Sequence, residues 1–323
     1  MQRRVGWTCF MQPRIIAMPV LASGLDYVDL NFLGRPQIIA TAILHGSPGV
    51  ALVDPGPATT FDNLTTALTR KGIRFEDVRQ ILVTHIHLDH SGAAGSIVEK
   101  HPHIEVVVHG RGAPHLTDPS KLLASAGRLY GQDMDRLWGD VRPVPAKNLK
   151  IVEGGETITV AGREVRIAYT AGHASHHVSY FDTASRVAFV GDTAGIRRGS
   201  GSYVMPPTPP PDVDIEAWHD SEKKILAWDP DTLFLTHFGP FQGARQHFQG
   251  LFENLAEWSR IVRKLLGDNS IQDDERQRRF IDEALLDIRR RVGEAAASDY
   301  TRAGGLNYSW QGLARYWRKR HGA

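Results

Sequence analysis

The chain has 323 residues, of which 41% are hydrophobic and 23% charged, with a formal net charge of +2. That is the composition of a soluble globular protein with room for one large domain or a main domain and an appendage, and the charge is too small to mark a nucleic-acid partner. The single cysteine, Cys9, excludes an internal disulfide and a cysteine-rich metal site, so a metal here must be held by histidine and carboxylate. No apolar run reaches the roughly 18–20 residues that span a bilayer. Residues 1–14 lack the continuous apolar core of a leader, so the expected location is the cytoplasm, with no membrane partner and with Met11 or Met18 as alternative starts of the folded part.

Residues 15–20, 38–44 and 50–53 read as strands of an opening sheet, with Gly46-Ser47-Pro48-Gly49 as the turn between the last two. The third runs into Asp54-Pro55-Gly56-Pro57. A carboxylate at the end of a buried strand either caps a loop or serves a site, and pattern alone makes Asp54 structural. Phe61, Leu64, Ala67 and Leu68 predict a helix over 59–71, stopped by Gly72.

A strand over 81–84 then delivers His85, His87, Asp89 and His90, four metal-ligand side chains within six residues. Imidazole and carboxylate suit borderline divalent metals such as zinc. Strand-like alternation turns His85 and His87 to one side, and the following turn directs Asp89 and His90 to a neighbouring point. One cation would crowd this set, whereas two would share it. A helix over 92–100 and a strand over 104–109 follow, which puts the cluster past a strand's carboxyl end, where α/β layering places sites. His101, His103, His109 and His115 have no matching spacing and read as bystanders.

Helices over 119–130 and 134–138 suggest an insertion. Residues 151–167 read as a hairpin turning at Ala161-Gly162-Arg163, and the next strand closes on His173. Strands over 178–181 and 186–190 follow, the second ending in Asp192. A helix over 214–228 precedes a strand over 232–236 that ends in His237. Four apolar strands thus deliver ligand-type residues at their carboxyl ends. The run Pro206-Pro207-Thr208-Pro209-Pro210-Pro211 predicts a stiff extended loop. From Gly243 three amphipathic helical segments carry Phe252, Leu255, Trp258, Trp310 and Trp317. These faces are expected to fold back and form part of the pocket, with a homodimer interface as the alternative. The expected division is therefore a catalytic part over 1–242 and a helical region over 243–323.

The His-x-His-x-Asp-His run at 85–90, with His173, Asp192 and His237 in that order, resembles the metallo-β-lactamase superfamily over roughly residues 15–240. Asp54, in Val-Asp-Pro-Gly, fits the family's first motif. The resemblance implies an α/β fold, the four-layer αββα sandwich, with the C-terminal helices as an extension. It implies one metal on His85, His87 and His173, a second on Asp89, His90 and His237, and Asp192 bridging both. Asp54 and His177 would support the ligands from behind. The segment 170–180 looks like that of hydroxyacylglutathione hydrolases and related lactonases, although His176 stands where glycine is usual.

The chemistry so implied is hydrolysis by a metal-bridging hydroxide, with two Zn²⁺ (Fe or Mn as alternatives). Asp89 and Asp192 would be the catalytic carboxylates, and the substrate a small-molecule thioester, lactone or related ester. A phosphodiesterase or nuclease of the same fold is the runner-up, and β-lactam hydrolysis a side activity. A one-iron persulfide dioxygenase and a non-catalytic binding module fit the full ligand set less well. Arg197, Arg198 and Tyr203, just past Asp192, are expected to wall the substrate, an arginine meeting an anionic group.

Overall fold

The computed structural model describes residues 21–198, 201 and 203–321. The strand expected over 15–20 and Cys9 lie outside the described residues. Two six-stranded sheets stand face to face. The first runs, in chain order, through β1 (Leu25–Asp29), β2 (Ala40–Gly46), β3 (Gly49–Val53), β4 (Val78–Leu82), β5 (Glu105–His109) and β6 (Leu149–Val152). The second runs in reverse order from β12 (Gly239–Phe241) through β11 (Thr232–Leu235), β10 (Val187–Phe189), β9 (Val178–Asp182) and β8 (Arg163–Tyr169) to β7 (Thr157–Val160). β3 to β6 pair in parallel, as do β10 and β11, and the remaining pairs are antiparallel.

Period-two alternation explains the layers. In β3, Ala51 and Val53 face the second sheet while Val50 and Leu52 face outward. In β11, Phe234 faces inward while Leu233 and Leu235 face outward. Both faces of each sheet are therefore apolar, and each outer face needs helices to cover it. The first sheet is covered by α1 (Phe61–Arg70), α3 (Ala94–Lys100), α4 (Ala113–Thr117) and α5 (Ser120–Tyr130), with the short α2 (Leu88–Ser91) and α6 (Met134–Leu137) at one end. The second is covered by α7 (Ile215–Ala227), α8 (Ala244–Leu266), α9 (Asp273–Gly304) and α10 (Leu306–His321). The result is the expected four-layer αββα sandwich.

Local chemistry sets the element ends. Asp214 caps α7 by accepting from the Ala217 amide at 3.1 Å. In α8, Phe248, Leu251, Leu255, Trp258, Val262 and Leu265 form one buried stripe at helical spacing. α9 breaks at Gly293, which has φ 80°. The expected boundary at 242/243 falls between β12 and α8, but α8 to α10 share one core with the outer face of the second sheet.

Two expectations need correction. The hairpin is β7–β8 alone, turning at Ala161 and Gly162, both at positive φ. Ile151 belongs instead to β6 in the first sheet. β4 ends at Leu82 rather than Thr84, because the Thr84 amide leaves the ladder to bond the Asp54 side chain.

Candidate metal centre

Asp54, Asp192, His173, His237 and the 85–90 run all follow the carboxyl ends of strands, namely β3, β10, β8, β11 and β4. They meet at one edge of the sandwich. Asp54 organises the meeting point from below. It is fully buried, with φ 51°, in the left-handed region that aspartate and asparagine adopt more readily than most residues. Its carboxylate accepts from the Thr84 amide (2.8 Å), the Thr84 hydroxyl (2.7 Å), His90 Nδ1 (2.8 Å) and the Thr236 hydroxyl (2.7 Å). One side chain thereby fixes the residue before His85, the ring of His90 and the residue before His237.

The outer ring nitrogens show which inner nitrogens carry lone pairs. His173 Nδ1 donates to the Pro207 carbonyl at 2.8 Å, and His237 Nδ1 to the Ile38 carbonyl at 2.8 Å. His85 Nδ1 lies 3.2 Å from Thr84 Oγ1, whose own proton goes to Asp54. In each ring the remaining nitrogen, Nε2, is thus turned inward as a free acceptor, the arrangement that prepares histidine for a metal. His85 Nε2 and His173 Nε2 each lie 2.9 Å from His87 Nδ1. Burial, with the neighbouring imidazoles, holds His85 and His87 well below the usual histidine range, and burial also depresses His173. Three neutral nitrogens converging on one point form a cation site.

The second group is Asp89, His90 and His237. Asp89 Oδ2 lies 3.2 Å from His237 Nε2 and 3.9 Å from His90 Nε2. Asp192 lies between the groups. Its Oδ1 is 3.3 Å from His90 Nε2 and 3.6 Å from His237 Nε2, and its Oδ2 is 3.5 Å from His173 Nε2. Burial would depress His90, but the carboxylates of Asp192, Asp54 and Asp89 outweigh it and drive its pKa well above the ordinary value. Burial would raise Asp89 and Asp192, but the surrounding imidazoles, His90 foremost, hold both below the usual carboxylate range. So much buried negative charge calls for positive charge. His90 Nε2 and Asp192 Oδ1 are also buried without an aligned hydrogen-bond partner among the described residues. Orphaned polar atoms of this kind are rare in a folded interior, and cations between the groups would satisfy them. The donor set fits divalent metal: His85, His87 and His173 would hold an ion as one group, Asp89, His90 and His237 as another, and Asp192 lies within 3.3–3.6 Å of His90, His173 and His237 between them.

The family profile described as the Metallo-beta-lactamase superfamily matches residues 35–237. The chain belongs to that superfamily. Among curated relatives, the metallo-beta-lactamase fold-containing protein ST1585 of Sulfurisphaera tokodaii is 26% identical over 220 residues, covering 67% of this chain and 78% of the relative. A hydroxyacylglutathione hydrolase of Prochlorococcus marinus is 27% identical over 117 residues, only 36% of either chain. Among solved structures, the metallo-beta-lactamase family protein TTHA1429 of Thermus thermophilus superposes with a TM-score of 0.70 at 21% identity, over 94% of this chain and 95% of its own.

The superfamily's structural plan leaves the rest of the site to each member. Here His177 is buried, with Nδ1 3.0 Å from the Thr170 hydroxyl, and its ring lies nearly flat on His85 at 4.9 Å between centroids. That places it behind a ligand, supporting the ring. His87, Asp89, His173, Asp192 and His237 open onto a cavity of about 930 Å³.

The residues expected to wall that cavity do not line it. Arg198 is buried, and its Nη1 donates to the carbonyls of Gln37 (2.6 Å) and Ile38 (3.2 Å). Arg197 stacks over Phe241 at 3.9 Å and donates its amide to the His237 carbonyl at 2.7 Å. Tyr203 is buried against Tyr300. The bridge between Ile196 and Met205 makes this segment a strap that carries Tyr203 into the helical core, while the Arg197 and Arg198 side chains turn to Phe241 and to the Gln37 and Ile38 carbonyls. Arg197 and Arg198 reach the ligands from behind, through the His237 carbonyl and through Ile38, whose carbonyl holds the His237 ring.

The cavity wall comes instead from residues that no motif marks, namely Phe32, Tyr130, Trp138, Arg111 and Tyr308. His115 and His176 also line it, although neither joins a ligand group among the described residues. Burial holds His176 at about 3, a neutral ring. The start of α10 reaches the cavity through Gly305, Asn307 and Tyr308, as expected of the C-terminal helices.

Proposed function

We propose that this protein is a dinuclear metal-dependent hydrolase of a small-molecule ester, thioester or lactone. The observation that carries the reading is that Asp192 lies between two ligand groups, near His173 of one and His90 and His237 of the other, on the floor of one open cavity. Histidine and carboxylate ligands suit zinc, with iron or manganese as alternatives. When bound, two such ions supply Lewis acidity and a water whose pKa is lowered toward about 7.

The chain's own residues do the rest. Asp54 holds His90 and the flanks of His85 and His237 in register. Pro207 and Ile38 fix the tautomers of His173 and His237. Asp89 is the more open of the two central carboxylates, at 25% side-chain exposure against 6% for Asp192. It faces the cavity ionised, which suits it to take up a proton there and return it to the leaving group. The hydroxyacylglutathione hydrolases among the relatives support attack at an acyl carbon. No helix among the described residues is long and apolar enough to cross a membrane.

The test is metal analysis followed by turnover across ester, thioester, lactone, β-lactam and phosphodiester substrates. About two divalent ions per chain and carbonyl hydrolysis are expected. Asp89→Ala should lower turnover at least about a hundredfold with the fold intact. A single tightly held iron under metal-replete conditions, or turnover of phosphodiesters alone, would overturn the reading.

A further inference from the structure

We propose that the substrate carries a bulky apolar arm, of the size of a medium-chain or aromatic acyl group, seated on an aromatic wall beside the metal centre. This rests on the hydrolase reading above and narrows it to a substrate class.

The wall is assembled from three segments far apart in sequence. Phe32 follows β1, Tyr130 and Trp138 belong to the α5–α6 insertion, and Tyr308 opens α10. Phe32 stacks on Trp138 at 5.9 Å and 16°. Trp138 meets Tyr130 edge-on at 5.0 Å, and Tyr130 meets Tyr308 at 5.1 Å. The four rings form one continuous surface on the cavity whose floor holds Asp89, Asp192 and His237. Leu122 and Leu129 extend it. Tyr308 spends its hydroxyl on the Leu129 carbonyl at 3.1 Å, which fixes the ring in the wall rather than offering a polar group to a ligand.

Volume points the same way. At about 930 Å³ the cavity is near the upper end of small-ligand sites, which span roughly 300–1,000 Å³. A two- or three-carbon acyl group would reach the metals and leave in water the part of the wall that the fold does not already cover, on Tyr130, Tyr308, Leu122 and Leu129, with Phe32 and Trp138 buried behind them. An acyl group long enough to cover the rings would remove that surface from water. Each methylene buried there should tighten binding about fourfold.

The measurement is the Kd of straight-chain carboxylates, acetate to octanoate, on the metal-loaded protein by calorimetry. Affinity should rise about fourfold per methylene until the wall is covered. Tyr308→Ala should weaken octanoate about tenfold more than acetate, and Tyr308→Phe, which keeps the ring and loses only the bond to Leu129, should keep the wild-type gradient. A Kd that does not change along the series overturns the proposal, as does a Tyr308→Ala that weakens acetate and octanoate by the same factor. The two readings fail separately. A steep gradient without ester turnover sinks the hydrolase reading and leaves the apolar seat. Ester turnover with a flat gradient sinks the seat alone.

Discussion

The floor of the cavity is drawn from the carboxyl ends of four strands, with Asp54 at the end of a fifth beneath it, while its wall is drawn from a loop, an inserted pair of helices and the start of α10. The floor residues are held by hydrogen bonds from behind, nearly all buried and most converging on Asp54. The wall residues are held by ring packing, with Tyr308 tied by one hydrogen bond across to Leu129. A polar network specifies one geometry and fails as a unit, whereas an apolar wall tolerates exchange of one ring for another of similar size. The floor therefore fixes the reaction, and the wall is free to set the substrate. Substitutions in each region should differ in kind.

The largest effect is expected at Asp54. Asp54→Ala leaves His90, Thr84 and Thr236 without the carboxylate that now accepts from all three. Breaking a buried charged network of this kind costs about 3–5 kcal/mol. Urea unfolding should show that loss, and metal content should fall below two ions per chain. Normal metal content with unchanged stability would remove Asp54 from its organising role.

This asymmetry also decides what could be read from the sequence. The 85–90 run is legible because ligands that share a turn must be close in sequence. His173, Asp192 and His237 are legible because each ends an apolar strand. The wall is not legible. Phe32, Tyr130, Trp138 and Tyr308 look like the aromatics that fill any core, and only the fold brings them together. Arg197, Arg198 and Tyr203 misled for a related reason. They lie just past Asp192 in sequence, but the Ile196–Met205 bridge turns the strap, and the Tyr300 hydroxyl receives the Arg198 amide from α9 at 2.9 Å. β1 and β12 were missed because neither is an apolar run: β1 carries Asp26 and Asp29, and β12 is three residues that include Gly239 and Pro240.

A second experiment reaches the helical side through pH. His247, in α8, is buried, with Nε2 2.6 Å from the Ala194 carbonyl, and burial holds its pKa at about 4. That lies below its unfolded value of about 6.5. Below that pH the unfolded chain takes a proton that the folded one refuses. The stability is therefore complete above about 6.5 and declines as pH falls toward 4, by about 3 kcal/mol for this one group. His247→Gln, which keeps a donor for Ala194, should lose less between pH 7 and 4.5 than the parent protein in urea titrations. Equal losses would show that this ring does not contribute to the acid sensitivity.

Arg198 links the two regions. Its guanidinium holds the carbonyls of Gln37 and Ile38, and Ile38 holds the ring of His237. Arg198→Met should cost about 1–3 kcal/mol through the unpaired carbonyls. It should also weaken the more loosely held metal by about tenfold, measured by chelator competition. Loss of stability with unchanged metal affinity would confine Arg198 to the helical layer.

The smallest effect is expected at Arg111, which lines the cavity with Arg35, Lys121 and Arg136 where Arg197 and Arg198 were expected. Its Nη1 donates to the Tyr169 hydroxyl at 2.9 Å, and that hydroxyl donates in turn to the Ser175 carbonyl at 2.9 Å. Asp212, the carboxylate on the same part of the cavity, is engaged by the Ser175 amide and hydroxyl at 3.3 and 2.5 Å. Arg111 is thus oriented by a phenol and keeps its charge for the opening. It is exposed, so water and salt screen it, and its contribution to binding stays small. Arg111→Met should raise KM for an ester with an anionic group about fivefold or less and leave a neutral ester of the same size unchanged. Raising the salt should shrink that difference, because an exposed charge acts through screened attraction. Equal changes in KM for both esters would mean that Arg111 shapes the opening without reading charge, and that selection rests on the aromatic wall alone.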